Sequence, residues 1–340
     1  MRRSFFHAMQ HVRSLDHVSL EDAWLTIGTF DGVHRGHQEI IHNLTGGAHA
    51  AGAPTVVLTF DPHPVAVLRP DKAPLTLTSV DERAALFGQL GVDLVITHPF
   101  NRELAALSAR DFLTRIKEHL GFTHFWVGYD FAMGHNREGD IPALRQLGKE
   151  LDYQLHVVEP VNFGGKTVSS SKIRTLLAEG NVQEASDLLG RPYQLAGQVV
   201  EGAKRGRTIG IPTANLAVDE QHAVPGRGVY ATWALVNPSP YVGAGRSRVD
   251  AVTNIGLRPT FENGPVRPSV EAHLLDFSGD LYGQVIQLEF ITRLREERKF
   301  SGVEALVQQI EQDIVEAREI LGTGVITGVI TGVGTGVRTE

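Results

Sequence analysis

Between residues 24 and 158 the chain alternates short, largely apolar runs with longer stretches in which apolar positions recur every three or four residues. Residues 24–27, 54–60, 92–96, 124–127 and 155–158 have the length and β-branched content of strands. Between them, residues 37–44, 81–90, 109–120 and 141–151 carry the helical spacing. Strands without a consistent polar face, separated by helices, predict a doubly wound parallel sheet covered on both sides. Ligands in such sheets bind beyond the carboxyl ends of the strands.

The pattern changes near residue 186. Residues 193–200, 228–236, 249–255, 269–277 and 285–291 read as strands separated by turns, which predicts a small barrel or sandwich. Val303, Leu306, Val307, Ile310, Ile314, Ala317 and Leu321 then recur at helical spacing and predict a closing helix. The division expected is residues 1–186, 187–321 and a tail over 322–340. That tail reads GTGVITGVITGVGTGVRTE, with too little side chain to build a core, and is expected to be a flexible extension without chemistry.

Composition narrows the function classes. With 42% apolar and 21% charged residues, a disordered or fibrous chain is excluded. The net charge of −7 disfavours a protein that coats nucleic acid or an anionic membrane. The chain has no cysteine, which removes disulfides, thiolate zinc, iron–sulfur clusters and cysteine nucleophiles. No run approaches the roughly 18 apolar residues of a membrane span. The start, MRRSFFHAMQHVR, lacks the apolar region of a secretion signal, so a cytoplasmic location is expected. Oligomeric state is not legible.

One constellation follows the first predicted strand. Gly28-Thr29-Phe30-Asp31-Gly32-Val33-His34-Arg35-Gly36-His37 opens a helix, whose free N–H groups and partial positive charge attract phosphate. His34 and His37, three apart, can face one way in the first turn and donate to phosphate oxygens as charge builds. His37 is also in phase with Ile40, Ile41 and Leu44, so a buried core histidine is the alternative.

A second constellation runs from Gly202 through Lys204, Gly206 and Gly210 to Pro212-Thr213-Ala214-Asn215. If a strand continues there, Thr213 and Asn215 share a face and offer a hydroxyl and an amide carbonyl, oxygen ligands suited to Mg²⁺. Two polar residues on an exposed strand face are the alternative.

The string GTFDGVHRGH resembles the nucleotidyltransferase signature of bacterial bifunctional riboflavin kinase/FAD synthetases. Further segments are similar in the family's order: Thr59-Phe60-Asp61-Pro62-His63-Pro64, Val127-Gly128-Tyr129-Asp130-Phe131 and Val168-Ser169-Ser170-Ser171-Lys172-Ile173-Arg174. GRTIGIPTANL resembles the riboflavin kinase motif, and residues 269–277 the strand bearing its catalytic glutamate. The resemblance covers about residues 18–321. One departure stands at Ala132-Met133-Gly134, where the family usually shows a basic or polar residue and then Phe-Gly.

The resemblance implies an α/β doubly wound nucleotidyltransferase domain, then a six-stranded antiparallel barrel with a C-terminal helix. It implies ATP-dependent conversion of riboflavin to FMN in the barrel, and of FMN to FAD with release of pyrophosphate in the first domain. His34 and His37 would act catalytically there, with Gly28, Thr29, Phe30, Asp31, Gly36, Asp130, Ser170, Ser171 and Arg174 holding ATP. In the barrel, Gly202, Lys204, Gly206, Gly210, Thr213 and Asn215 would hold ATP, the last two organising Mg²⁺. Glu271, opposite in strand alternation to Val270 and Ala272, would be the base. Asn254 and Arg295 would lie on the flavin side. Riboflavin, FMN, FAD and ATP are the expected partners, without nucleic acid or membrane. A different nucleotidyltransferase or a class I aminoacyl-tRNA synthetase relative, and a non-catalytic flavin-binding or regulatory protein, are the competing readings.

Overall fold

A computed structural model of the chain describes residues 9–202, 206, 209–237, 248–259 and 266–322. Lys204 and residues 323–340 of the expected tail lie outside these. The chain forms two compact units, Met1–Lys172 with Gln221–Ala223, and Ile173–Glu220 with Val224–Glu340.

In the first unit the strands are β1 (Gln10–Val12), β2 (Trp24–Ile27), β3 (Thr55–Asp61), β4 (Leu94–Pro99), β5 (His124–Gly128) and β6 (Gln154–Val158). They form one parallel sheet in the order β1-β4-β3-β2-β5-β6. The chain moves outward from β2 through β3 to β4, then returns to β5 on the other side of β2. The direction of winding therefore reverses between β2 and β5, and in such sheets ligands bind beyond the carboxyl ends of the strands at that point.

The helices α1 (Arg35–Ala51), α2 (Pro64–Leu68), α3 (Val80–Gln89), α4 (Arg102–Ala105), α5 (Ala109–Leu120) and α6 (Ile141–Leu151) connect the strands. Alternation along β3 explains why its sequence is apolar throughout. Val56 and Leu58 pack with Phe112, Ile116 and Leu144 of α5 and α6, while Val57 packs with Ile41, Leu44 and Phe87 of α1 and α3. Each such buried side chain contributes roughly 1.5–3 kcal/mol. Cap chemistry sets the helix starts: Ser79 and Glu82 form a capping box on α3, and Ser108 accepts from the Asp111 N–H on α5.

A short hairpin, β7 (Asn162–Phe163) and β8 (Lys166–Thr167), leads into α7 (Ser170–Ala178) and α8 (Val182–Leu189). The division expected at residue 186 falls inside α8.

The second unit is a closed barrel of β9 (Tyr193–Val200), β10 (Ala214–Ala217), β11 (Gly228–Val236), β12 (Arg248–Pro259), β13 (Val266–Leu274) and β14 (Val285–Arg295), with α9 (Val303–Gly322). Its order is β10-β13-β12-β11-β14-β9, all antiparallel, closed by β9 against β10. On α9, Ala317 and Leu321 pack against Val229, Ala231 and Trp233 of β11. The barrel, not the sandwich, is the architecture, and α9 absorbs Gly322 from the expected tail.

Two elements depart from the sequence pattern. β1 is a three-residue edge strand, too short to show a period. α1 runs to Ala51 through Gly46-Gly47, a pair that reads as a helix breaker. A Cβ on Gly47 would sit 2.4 Å from the Trp24 ring, so tertiary packing requires this glycine inside the helix.

Candidate active sites

At the carboxyl end of β2 the chain enters the loop between β2 and α1. Three of its residues hold left-handed backbone: Phe30 (φ 49°), Gly32 (φ 82°) and Val33 (φ 42°). For Phe30 and β-branched Val33 this costs on the order of 1–3 kcal/mol each and persists only where the surroundings over-determine it. The ties are visible. The Asp31 carboxylate accepts from the N–H groups of Leu77 (2.9 Å) and Thr78 (3.2 Å), and the Gly32 N–H donates to Thr78 Oγ1 (3.1 Å).

α1 is capped by a histidine. His34 Nδ1 accepts from the His37 N–H at 3.4 Å, and the first turn contains no acidic residue. The two imidazoles stack with centroids 3.6 Å apart, and His37 rests edge-on against Phe30. Gly36 leaves room for this: its Cβ would stand 3.2 Å from the His34 ring. His34 is 6% exposed and His37 half-buried. A helix N-terminus bearing two imidazoles and no carboxylate is suited to an anion.

Ser170, at the start of α7, donates its hydroxyl to the Asp31 carbonyl at 2.9 Å, so the serine-rich loop meets the histidine loop. Ser171 follows it, and Arg174 lies about one turn further along the same helix. Asp130 is exposed just past β5, beside β2 in the sheet, and its carbonyl accepts from Arg137 at 3.1 Å. Gly28 and Thr29 begin the loop at half-buried positions. At the departure from the family pattern, Met133 exchanges backbone hydrogen bonds with Gly139 and packs partly into the core.

Two expected ATP contacts are differently employed. The Phe30 ring is buried between His37 and Phe87, and the Asp31 carboxylate is 1% exposed and turned to the 77–78 backbone. Both side chains brace the loop from within.

In the barrel, Asn215 on β10 is the register partner of Glu271 on β13, and Glu271 of Asn254 on β12. Their chain neighbours Ala214, Leu216, Val270, Ala272, Thr253 and Ile255 are buried, whereas these three are half-buried on the outer surface, as strand alternation requires. A Cβ on Gly202 would meet the Asn215 amide at 2.3 Å, and one on Gly206 would meet the Ile211 carbonyl at 2.2 Å with Thr213 Oγ1 at 3.6 Å. The glycine loop thus closes directly on the two polar residues. Gly210 supplies a left-handed turn (φ 79°) before Ile211.

Asn215 Oδ1 is buried and accepts no hydrogen bond among the described residues. An orphaned neutral oxygen under a glycine loop fits an Mg²⁺ ligand.

Beside Thr213 lies a cleft of about 380 Å³ lined by Pro212, Phe277, Leu281 and Tyr282 among others, a feature that sequence reasoning missed. Its lining comes from positions far apart in the chain.

Arg295, expected on the flavin side, is engaged within the barrel unit. Its guanidinium grips the buried Asp313 carboxylate of α9 at 2.7–3.0 Å and lies near the Phe300 ring, so it anchors the helix.

A doubly wound sheet with an HxGH helix cap and a barrel with a PTAN segment at a strand start define a nucleotidyltransferase joined in one chain to a flavokinase. Residues 16–172 match the FAD synthetase family model and residues 189–321 the riboflavin kinase model. Bifunctional riboflavin kinase/FMN adenylyltransferases are 38% identical in Escherichia coli K12 (92% of this chain, 96% of that one) and 39% identical in Bacillus subtilis (90% and 96%). A Streptococcus pneumoniae crystal structure described as a macrolide-efflux protein has TM-score 0.81 at 28% identity, covering 92% of this chain and 99% of that one. Among the described residues of this chain, no helix is long and apolar enough to cross a membrane.

The chain belongs to the bifunctional riboflavin kinase/FMN adenylyltransferase family. It combines an ATP-dependent riboflavin kinase with an FMN adenylyltransferase, and the readings as a different nucleotidyltransferase or aminoacyl-tRNA synthetase relative, or as a non-catalytic flavin binder, fall away.

Proposed function

We propose that the two reactions are carried by the two sites described above. In the first unit, an FMN phosphate oxygen attacks the α-phosphorus of ATP. The bond from that phosphorus to the bridging oxygen breaks, and pyrophosphate leaves. FMN supplies the nucleophile, so the protein's task is charge stabilisation. His34 and His37 donate to the departing phosphates, backed by Gly28, Thr29 and Gly36 at the loop. Ser170, Ser171 and Arg174 form the second grip, and Asp130 contacts the nucleoside. The support is the stacked imidazole pair at a helix N-terminus free of acids, beyond the point where the sheet reverses.

In the barrel, Glu271 accepts the proton of the ribityl 5′-hydroxyl as that oxygen attacks the γ-phosphorus of ATP and ADP leaves. Thr213 Oγ1 and Asn215 Oδ1 would hold Mg²⁺, which when bound neutralises phosphate charge. Gly202, Gly206 and Gly210 let the loop backbone approach the phosphates. The cleft at Pro212, Phe277, Leu281 and Tyr282 takes the adenine, and Asn254 faces the flavin. The observation that carries the kinase assignment is the in-register row Asn215–Glu271–Asn254. Reactions fed by ATP, in a chain without cysteine, point to the cytoplasm, with small molecules as the partners.

The test is a pair of assays on the full chain with ATP and Mg²⁺, one fed riboflavin and one fed FMN, with products separated by chromatography. His37→Ala is expected to lose FAD formation from FMN and keep FMN formation. Glu271→Ala is expected to do the reverse, with a loss of about 10²–10⁴-fold. Equal loss of both activities in either folded variant overturns that assignment.

A further inference from the structure

Arg83, on α3, is 5% exposed, deep for a guanidinium. One terminal nitrogen donates to the Thr29 carbonyl at 2.9 Å and the other to the Phe60 carbonyl at 3.2 Å. Thr29 opens the histidine loop after β2. Phe60 lies near the end of β3, the next strand in the sheet, where the Asp61-Pro62-His63 loop begins. Thr59 Oγ1 also donates to the Thr29 carbonyl, at 3.2 Å. One planar group therefore spans the chain at the carboxyl ends of two adjacent strands.

The geometry has a directional consequence. In a trans peptide the carbonyl and the following N–H point opposite ways. With the Thr29 oxygen drawn inward to Arg83, the Phe30 N–H is turned away from the guanidinium. Phe30 is the first left-handed residue of the loop (φ 49°), so this is the peptide where the loop's unusual path begins. Burial works against the charge of Arg83, while Asp31 and Asp61 favour it. A buried ion held mainly by carbonyls is a poor means of adding stability, since apolar replacements of buried ions are often neutral or better. Its direction-setting contacts give the residue a different purpose.

We propose that Arg83 is a positioning residue for adenylyl transfer, bridging Thr29 O and Phe60 O so that the strained loop presents the Phe30 N–H to the phosphates of ATP. The proposal rests on placing ATP at the histidine loop. It adds a residue that neither touches substrate nor belongs to the loop motif.

The test compares Arg83→Met, Arg83→Lys and His37→Ala in the full chain. Initial rates of FAD formation from FMN are measured over a range of ATP concentrations. Riboflavin phosphorylation in the same preparation and a thermal melt serve as controls. Arg83→Met is expected to lower kcat for FAD formation by about 10²-fold, the scale of a misplacement near 1 Å. Riboflavin phosphorylation should stay within about twofold. Arg83→Lys, which reaches one carbonyl, should fall between Arg83→Met and the wild type. Should Arg83→Met fail to fold, the lysine variant carries the test through its kcat. Wild-type kcat in a folded Arg83 variant overturns the proposal. So does a loss of FAD formation matched by the unfolded fraction in the melt, which marks a merely structural residue. If His37→Ala itself retains FAD formation, the placement of ATP fails, and the role of Arg83 with it. An inactive His37→Ala beside a fully active Arg83→Met sinks the role of Arg83 alone.

Discussion

Asn215 and Glu271 stand directly opposite one another across the antiparallel pair β10–β13, on the outer surface of the barrel. The carbonyl proposed to hold the metal and the carboxylate proposed to take the proton are therefore fixed by one hydrogen-bonded ladder. Removing the amide should separate the two roles. Asn215→Ala is expected to raise the Mg²⁺ concentration for half-maximal riboflavin phosphorylation by at least about tenfold, with FAD formation from FMN unchanged. An unaltered Mg²⁺ titration would rule Asn215 out as a ligand.

The close approach of Gly202 to that amide gives a sharper probe. A methyl placed 2.3 Å from Asn215 Nδ2 forces either the loop or the amide to move. Gly202→Ala should depress riboflavin phosphorylation strongly and leave the melting temperature nearly unchanged, because the collision displaces a loop and opens no core. Kinase rates equal to wild type would show that the loop does not need to sit so close.

How far the sequence carried these sites depends on what kind of contact each residue makes. Spacing places the histidine pair at a helix start and Asn215 and Glu271 on strands, as the structure has them, but their expected roles came from the resemblance of their motifs, and Thr213 lies just before β10 rather than on it. β3 was legible because both of its faces are buried. Asp31 and Phe30 lie in the same motif yet face inward, and their partners at Leu77, Thr78 and Phe87 are reached only through the fold. Arg83 carries no local signal, since a charged residue on a helix normally reads as solvent-facing. The cleft beside Thr213 likewise joins Pro212 to residues around 280, which no window along the chain brings together.

Arg295 and Asp313 provide a test of structure against binding. The carboxylate is 2% exposed in its side chain and takes three contacts from one guanidinium. Breaking a buried pair by removing one partner costs about 3–5 kcal/mol, so Asp313→Ala should lower the melting temperature of the barrel by roughly 10 °C. In the protein that remains folded at low temperature, KM for riboflavin should match wild type. A raised KM with an unchanged melting curve would return Arg295 to the flavin side.

Acid should weaken the first unit. His11, His98, His124 and His156 all have pKa values lowered below 6.5, chiefly by burial. In the folded state each holds its neutral form more strongly than in the unfolded chain, so unfolding takes up protons as the pH drops. Stability from this source is complete above about pH 6.5 and is lost as the pH falls toward the lowered folded values. His124 Nδ1 and His156 Nε2 lie 2.8 Å apart and share one hydrogen bond, which requires at least one neutral ring. Both rings stack on tryptophans, His124 on Trp24 at 3.9 Å and His156 on Trp126 at 4.2 Å, so tryptophan fluorescence reports directly on this cluster. Denaturant midpoints followed by that fluorescence should fall between pH 7.5 and pH 5.5. His156→Phe, which keeps a ring against Trp126 and removes one titrating group, should make the fall shallower. A midpoint independent of pH over this range would mean that these rings bind protons equally in the folded and unfolded chain, contrary to their burial.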